Sequence, residues 1–451
     1  MTPVTGTTDP DRSGMLAPDA SRSTLAIEAP DAFPASPPRE WPEVVGKMPS
    51  WTDPDRASIS RRLAQRARTV RVSDAVATAA LLVALHVSGL SRSASDSAIA
   101  ITDSVGLPRV TPGMPAPLMS LASLSISVQT ASLFLALALA GAIVSMPFTY
   151  VGGLRLARSV GLGTQSTGAW VRDYAVASVL GAALVAILAG LVGWVSADAP
   201  HLWWVAATIL GTIGTVVLTH LAPVLILPLF YRVKPLPDGP VRARLLDLTM
   251  LARTTVRGCD VIDQSRRSLT ANAGVIGIGR TRRIMVTDTL LEGGYSTAEI
   301  AAILAHELGH HVHGDMFWAI AVDGILLAGC FAMTESLRGW LAPLIGLGGA
   351  GDLAAIPAMV LMFGVVSALT MPLRAGLSRW RESRADSYGV RLTQDPEAWV
   401  RTLERLGWQN MAEVDPPQWI EWATYTHPSI ARRIASARAT GLETPPSMPG
   451  A

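Results

Sequence analysis

TAEIAAILAHELGHH, residues 297–311, is the stretch on which the reading of this chain turns. Thr297 to Leu304 is a run of strong helix formers with Glu299 in its first turn, where a negative charge suits the helix dipole. On that helix His306 and His310 stand four apart, so both imidazoles lie on one face, one turn from each other. That spacing lets them share one tetrahedral zinc at about 2.0–2.1 Å per nitrogen. Glu307 lies beside such a metal but is poorly aimed to bind with them. It can instead take a proton from water, the general-base role in a metalloprotease. Unrelated helices carry HExxH by chance, so the rest of the chain must support the reading.

The composition points to a membrane protein. Of 451 residues, 49% are hydrophobic and only 16% charged, and mean hydropathy is +0.35; these values predict several spans. A formal net charge of +2, with no basic run interleaved with aromatics, argues against a nucleic-acid partner. Lysine occurs only at Lys47 and Lys234 while arginine, alanine and glycine abound, a bias expected of a GC-rich bacterial genome. Cys259 and Cys330 have no CxxC partner, so neither a disulfide framework nor a cysteine zinc site is expected.

Residues 1–70 are rich in Pro, Ser, Asp and Arg and are expected to form a disordered cytoplasmic tail. Arg61, Arg62, Arg66, Arg68 and Arg71 close it as charges flanking a span. Apolar runs near 73–90, 121–147, 173–196, 202–230, 316–337 and 353–373 are long enough to cross a roughly 30 Å core. Spans one to four thus fall in 71–232, and spans five and six in 316–374. Loops 148–172, 231–315 and 374–451 carry many arginines, whereas 91–120, 197–201 and 338–352 hold only Arg92, Arg109 and Arg338. The positive-inside rule then places both termini and the HELGH segment in the cytoplasm. Asp323, His86 and His220 sit in apolar runs, where ionisable groups commonly line a wet cavity or pair. His311 and His313 are expected as solvated residues at a helix end.

Between spans four and five, 233–315 reads as a catalytic unit. "VRARLLDLTMLART" is an amphipathic helix; "CDVIDQ", "AGVIGIG" and "RRIMVTDTLL" are short strands. An exposed edge among those strands could hold a peptide extended. A catalytic zinc needs a third protein ligand, and Asp315, Asp323, Glu335, Glu382 and Asp386 are the downstream candidates. Asp315 follows the motif too closely to fold back with ease. Glu335 ends a membrane helix roughly 30 Å away, and Asp323 is carried partly into the same span. Glu382 comes after the next span has returned the chain, in a second catalytic segment at 375–440. There Asp386 follows at i+4, placed to orient a ligand histidine through its other nitrogen. Glu382 is therefore the expected ligand, against the alternative of a surface salt-bridge helix with Arg381 and Arg384. Residues 441–451 complete the chain as a second disordered tail.

From about Tyr150 to Arg433 the chain resembles the type I CAAX prenyl proteases, integral-membrane zinc endopeptidases, and more loosely the HtpX-like quality-control proteases. "LAPVLILPLFYRVKPLPDGPV", "SRRSLTANAGVIGIGRTRRIMVTDTLLEG", "AHELGHHVHGD", "LSRWRESRAD" and "THPSIARRI" occur in that family's order. The resemblance implies that His306, His310 and Glu382 hold one Zn2+ per chain, that Glu307 activates water and that Asp386 buttresses a ligand. It further implies that His427 stabilises the oxyanion, that Arg433 braces the site, and that Asn272, with Ala273 and Gly274, holds substrate backbone. Three departures stand out: six spans against seven in the eukaryotic relatives, Gly274 where those relatives carry an aromatic, and a long amino-terminal tail.

The expected fold is thus predominantly α, a polytopic membrane bundle of about six spans with a small α+β zincin-like catalytic unit. The expected activity is a zinc endopeptidase of a bacterial plasma membrane, acting on peptides or membrane-associated proteins, lipidated ones among them. Two rivals are a zinc-protease-like membrane sensor, disfavoured by short outer loops, and a non-catalytic scaffold, disfavoured by the retained Glu307.

Overall fold

The computed structural model describes residues 54–442 apart from 112, 278 and 350. Most of the amino-terminal tail and residues 443–451 lie outside the described residues. The first helix nonetheless starts inside the expected tail: α1, Pro54–Val87, is continuous through the arginine cluster into the first apolar run. Among the described residues five helices are long and apolar enough to cross a membrane, and a pair bent by 45° makes a sixth if counted as one span. These are α1; α3 (Ala116–Thr149) running on through a π turn into α4 (Leu156–Ser159); α5 (Thr167–Val195); and α6 (Trp203–Leu221), which runs on through another π turn into α7 (Leu227–Phe230). The fifth is α11, Asp315–Ile345; the bent pair is α12 (Ile356–Leu369) with α13 (Met371–Thr393). Ile143, Ile187, Ile209, Ile325 and Leu369 lie exposed on these helices, an outer surface suited to lipid rather than water.

Small residues let the spans approach closely. A Cβ on Gly193 of α5 would come within 2.8 Å of Thr130 Oγ1 on α3, and one on Gly190 within 3.1 Å of the Ser127 carbonyl, the tight packing expected of membrane helices. The stretch 91–120, read as a loop, holds a further helix, α2 (Leu90–Ser104), whose buried Thr102 accepts a 2.7 Å hydrogen bond from Gln129 of α3. Its mixture of serine with Ala and Ile hid it from a hydropathy reading. A cavity of about 690 Å³ lies between the spans, among Gln129, Trp203, Phe331 and Arg338. Asp323, His86 and His220, expected as chamber walls, do not line it. Asp323 pairs with Arg374 at 3.1 Å instead, and His220 turns Nδ1 back to the Val216 carbonyl of its own helix.

The catalytic unit is built on a four-stranded sheet of order β1-β2-β4-β3, from Val233–Pro235, Cys259–Ile262, Ala273–Ile276 and Arg283–Thr287. β2 and β4 run parallel at the centre, and β1 and β3 are antiparallel edges. β1 went unread because three residues, the last of them Pro235, are too few to show alternation. Against the sheet lie α8 (Pro240–Leu251), the short α9 (Asp288–Glu292) and α10 (Thr297–Val312). α14 (Pro396–Gln409), α15 (Gln418–Thr424) and α16 (Ile430–Leu442) complete the unit. One apolar core joins Leu248, Val286, Leu304, Leu308, Val400 and Ile434, so segments on either side of the last two spans share a single interior.

Candidate active site

The zinc-motif helix has a built start and a built end. Ser296 Oγ accepts from the Glu299 amide at 3.2 Å, and Glu299 returns a carboxylate to the Ser296 amide at 2.7 Å, a reciprocal cap. Arg405 meets the same buried carboxylate at 3.0 Å. At the far end Gly314, with φ 66°, takes the left-handed conformation in which glycine is unstrained. The chain reverses there, and Asp315 opens α11.

Helix α13 supplies the partner face. Glu382, Ala385, Asp386 and Gly389 fall at helical spacing on one side, and this side packs on α10 with little between the backbones. A Cβ on Gly309 would meet Ala385 Cα at 3.0 Å, and one on Gly389 would meet the His306 amide nitrogen at 2.9 Å. The approach carries Glu382 to the histidines: its Oε2 lies 3.3 Å from His306 Nε2, and its Oε1 3.5 Å from His310 Nε2. One donor atom from each of the three residues lies within 4.8 Å of the others.

Both imidazoles turn their other nitrogen to a carboxylate. His310 Nδ1 bonds Asp315 Oδ2 at 2.8 Å. His306 Nδ1 sits 2.8 Å from Asp386 Oδ1, at ion-pair distance though without the alignment of a good hydrogen bond. A ring that gives its Nδ1 proton to a carboxylate presents a lone pair at Nε2. Two such lone pairs would then face the Glu382 carboxylate, whose buried Oε2 accepts no hydrogen bond from the described residues. Acceptors facing an acceptor need a cation or a proton between them, so the donor set fits a zinc held by His306, His310 and Glu382. Burial depresses the His306 pKa, but Asp386 and Glu382 overcome it and lift it to about 9, so a proton on that ring is the alternative to a metal between these acceptors.

The surroundings lock this arrangement. Arg433 forks onto Asp386 at 2.9 and 2.7 Å and lies over the Trp399 ring. Burial works to raise the Asp386 carboxyl, yet Arg433 and His306 hold it well below the usual carboxylate range. Trp399 stacks on His306, ring centroids 5.4 Å apart. Glu307 is raised by burial above an ordinary carboxyl, against the opposing pull of His306 and His310. Edge strand β3 passes beside it, close enough that a Cβ on Gly274 would stand 3.9 Å from Glu307 Oε2. Asn272 Oδ1 accepts from the Ala273 amide at 2.9 Å. His427 is half exposed, its Nε2 3.4 Å from Glu382 Oε1.

The structure therefore gathers His306, Glu307, His310, Glu382, Asp386, His427 and Arg433 at one point, with Asn272, Ala273 and Gly274 on the neighbouring edge. Asp315 and Trp399 were missed. Asp315, set aside as a ligand because it follows the motif so closely, reaches the histidine's other nitrogen through the Gly314 turn; Arg384 holds its second oxygen. His311 is not a solvated end residue, since its Nε2 lies 3.4 Å from the Val275 carbonyl of β3.

Comparison with known proteins follows the same division of the chain. A family model described as peptidase family M48 matches residues 236–441, and one described as CAAX prenyl protease N-terminal, five membrane helices, matches 61–232. The chain is 29% identical to an uncharacterized metalloprotease, YhfN of Bacillus subtilis, over 69% of its own length and 73% of that protein's. It is 25% identical to a CAAX prenyl protease 1 homolog of Caenorhabditis elegans, over 66% and 74%. In fold it is similar to the crystal structure of S. mikatae Ste24p, with a TM-score of 0.71, 19% identity, and coverage of 87% of this chain and 93% of that one.

Proposed function

The chain belongs to peptidase family M48, and from that premise we propose that this membrane metalloprotease is a zinc-dependent endopeptidase with Glu307 as its general base. The observation that carries the reading is the meeting of His306, His310 and Glu382 within 4.8 Å, beside Glu307 and the edge strand β3. Bound there, zinc supplies Lewis acidity toward the attacking water and the scissile carbonyl.

The chain's own residues do the rest. The peptide lies extended along β3 and exchanges main-chain hydrogen bonds with that edge, Asn272 helping to hold it. This sets the scissile bond over Glu307. Glu307 takes the proton of the attacking water and passes it to the leaving amine. Its raised basicity suits that exchange. His427 donates to the oxygen on which negative charge develops. Asp386, braced by Arg433, keeps His306 turned toward the ligand position.

Substrates are peptides or membrane-associated proteins, met on the cytoplasmic face of a bacterial plasma membrane, as the distribution of arginine between loops indicates. Purified protein loaded with zinc is compared with Glu307→Gln on a prenylated peptide and its unprenylated counterpart. Cleavage by the wild type, and loss of about 10²–10⁴ in kcat with zinc retained in the variant, supports the proposal. Wild-type protein with zinc bound that cleaves neither peptide counts against it. A preference for the prenylated peptide assigns lipidated substrates.

A further inference from the structure

Helix α1 does more than cross the membrane. Its first four turns extend past the apolar run and lie against the catalytic unit, with Arg56 4.0 Å above the Trp408 ring and Ser60 buried. About two turns farther on, Arg68 Nη1 meets Glu413 Oε2 at 2.6 Å, and the Tyr425 hydroxyl donates to the same oxygen at 2.6 Å. Arg68 also donates to that hydroxyl at 3.3 Å, closing a triangle. The Glu413 side chain is 3% exposed. A carboxylate so buried needs its counter-charge, and Arg68 provides it. Burial, reinforced by Glu413, pushes the Tyr425 phenol up to about 12, which keeps it a donor at neutral pH.

Tyr425 stands two residues before His427, and the segment between Tyr425 and Ser429 is fastened at both ends. The Tyr425 carbonyl accepts from Arg379 Nη1 at 2.7 Å, and Arg379 lies one helical turn before Glu382 on α13. The buried Ser429 amide donates to Glu421 Oε1 at 3.1 Å. Among the described residues, the polar contacts of the His427 ring are a 3.0 Å approach to the hydroxyl of the adjacent Thr426 and its approach to Glu382. Its place over the site is therefore set by the backbone on either side, and on the amino-terminal side Tyr425 is held twice, its carbonyl by Arg379 and its hydroxyl by Glu413 and Arg68.

We propose that Arg68, on the first membrane helix, is a positioning residue for His427, acting through Glu413 and Tyr425. The inference rests on the reading of His427 as the donor to the oxyanion. Without Arg68 the Glu413 carboxylate is left buried and uncompensated, and it must draw in water or turn outward. Either movement takes the Tyr425 hydroxyl with it and shifts the His427 loop. The reaction is sensitive to such shifts, since a displacement of about 1 Å can cost on the order of a hundredfold in rate.

The test uses the full-length, zinc-loaded protein in detergent or vesicles, with a peptide substrate and four variants: Arg68→Ala, Arg68→Lys, His427→Ala and Arg68→Ala/His427→Ala. Arg68→Ala is expected to lower kcat on the order of tenfold to a hundredfold, with KM and zinc content unchanged. Arg68→Lys, which restores the charge facing Glu413, recovers most of that loss. In the His427→Ala background, adding Arg68→Ala costs almost nothing more, because the group it positions is gone. Should Arg68→Ala fail to insert or fold, Tyr425→Phe removes the link without a buried charge and is expected to show the same dependence on His427. An equal loss in both backgrounds, or a loss that tracks zinc content, overturns the proposal and leaves Arg68 a structural residue. A slow His427→Ala beside an unaffected Arg68→Ala and Tyr425→Phe overturns it while sparing the reading of His427. An unaffected His427→Ala removes that reading, and the proposal with it.

Discussion

Gly389 and His306 touch backbone to backbone: a Cβ on the glycine would lie 2.9 Å from the histidine's amide nitrogen and 3.2 Å from its Cα. Two helices separated in sequence by a pair of membrane crossings are thereby held at the distance that brings Glu382 to the zinc-motif histidines. In an unconstrained helix, Gly→Ala stabilises by roughly 0.5–1 kcal/mol. Here the added methyl meets main chain, which cannot swing aside, and overpacking of this kind costs about 1–3 kcal/mol. The clash wins. Gly389→Ala is expected to lower the unfolding temperature and to weaken zinc binding, checked by thermal unfolding and by metal content after dialysis. Unchanged values on both would show that α10 and α13 can separate without harm to the site.

Asp315 stands behind His310, on the nitrogen turned away from the proposed zinc position. Carboxylates behind a ligand imidazole fix its ring and tautomer, and their loss commonly costs 10–100-fold in metal affinity. Asp315→Asn keeps the shape but removes the charge that faces His310 Nδ1 at 2.8 Å and Arg384 on the other side. Zinc affinity measured against a competing chelator is expected to fall by about that factor, with the Glu307 chemistry intact once zinc is saturating.

How far the sequence carried the reading depends on whether the signal was local. The helix-forming run from Thr297, with Glu299 in its first turn, and the histidine spacing both lie within one helix, so α10 was legible. Glu382 was reached by following the chain through two crossings, an argument that needs only span lengths. Asp315 was lost because its reach depends on the left-handed Gly314 turn, which a count of residues does not reveal. Strand β1 and helix α2 gave no periodicity to detect. Arg68 was read as a charge flanking a span because its partner, Glu413, lies 345 residues away.

Gly274 controls how much room lies above Glu307, the proposed general base. A methyl at that position would make ordinary contact with Glu307 Oε2, at 3.9 Å, so Gly274→Ala is expected to leave folding and kcat nearly unchanged. An aromatic ring cannot stop at van der Waals distance and must project along the cleft beside β3. Gly274→Phe is therefore expected to raise KM for peptides with bulky residues at the cleavage point and to spare small ones. Assaying a peptide set varied at that residue checks the split. An equal effect on every peptide would mean that the ring disturbs Glu307 rather than the substrate.

Arg433 is the guanidinium that balances the Asp386 side of the site, as Arg384 balances Asp315. It forks onto Asp386, comes within 4.0 Å of Glu382 and lies over Trp399, with its own side chain 13% exposed and that of Asp386 2%. Removing one partner from a buried pair commonly costs about 3–5 kcal/mol, because the remaining charge stays behind uncompensated. Arg433→Met, close in volume but uncharged, is expected to destabilise the protein by an amount of that order. Arg433→Lys keeps the charge but loses the two parallel hydrogen bonds, and should fall between it and the wild type. Zinc separates two accounts of the loss. If Arg433 serves mainly to hold Asp386 in place behind His306, saturating zinc restores much of the stability of Arg433→Met, since the bound cation then supplies the missing positive charge. If the guanidinium serves mainly as packing beneath Trp399, the deficit is the same with and without metal. Thermal unfolding of the three proteins with zinc added and with zinc chelated decides between them.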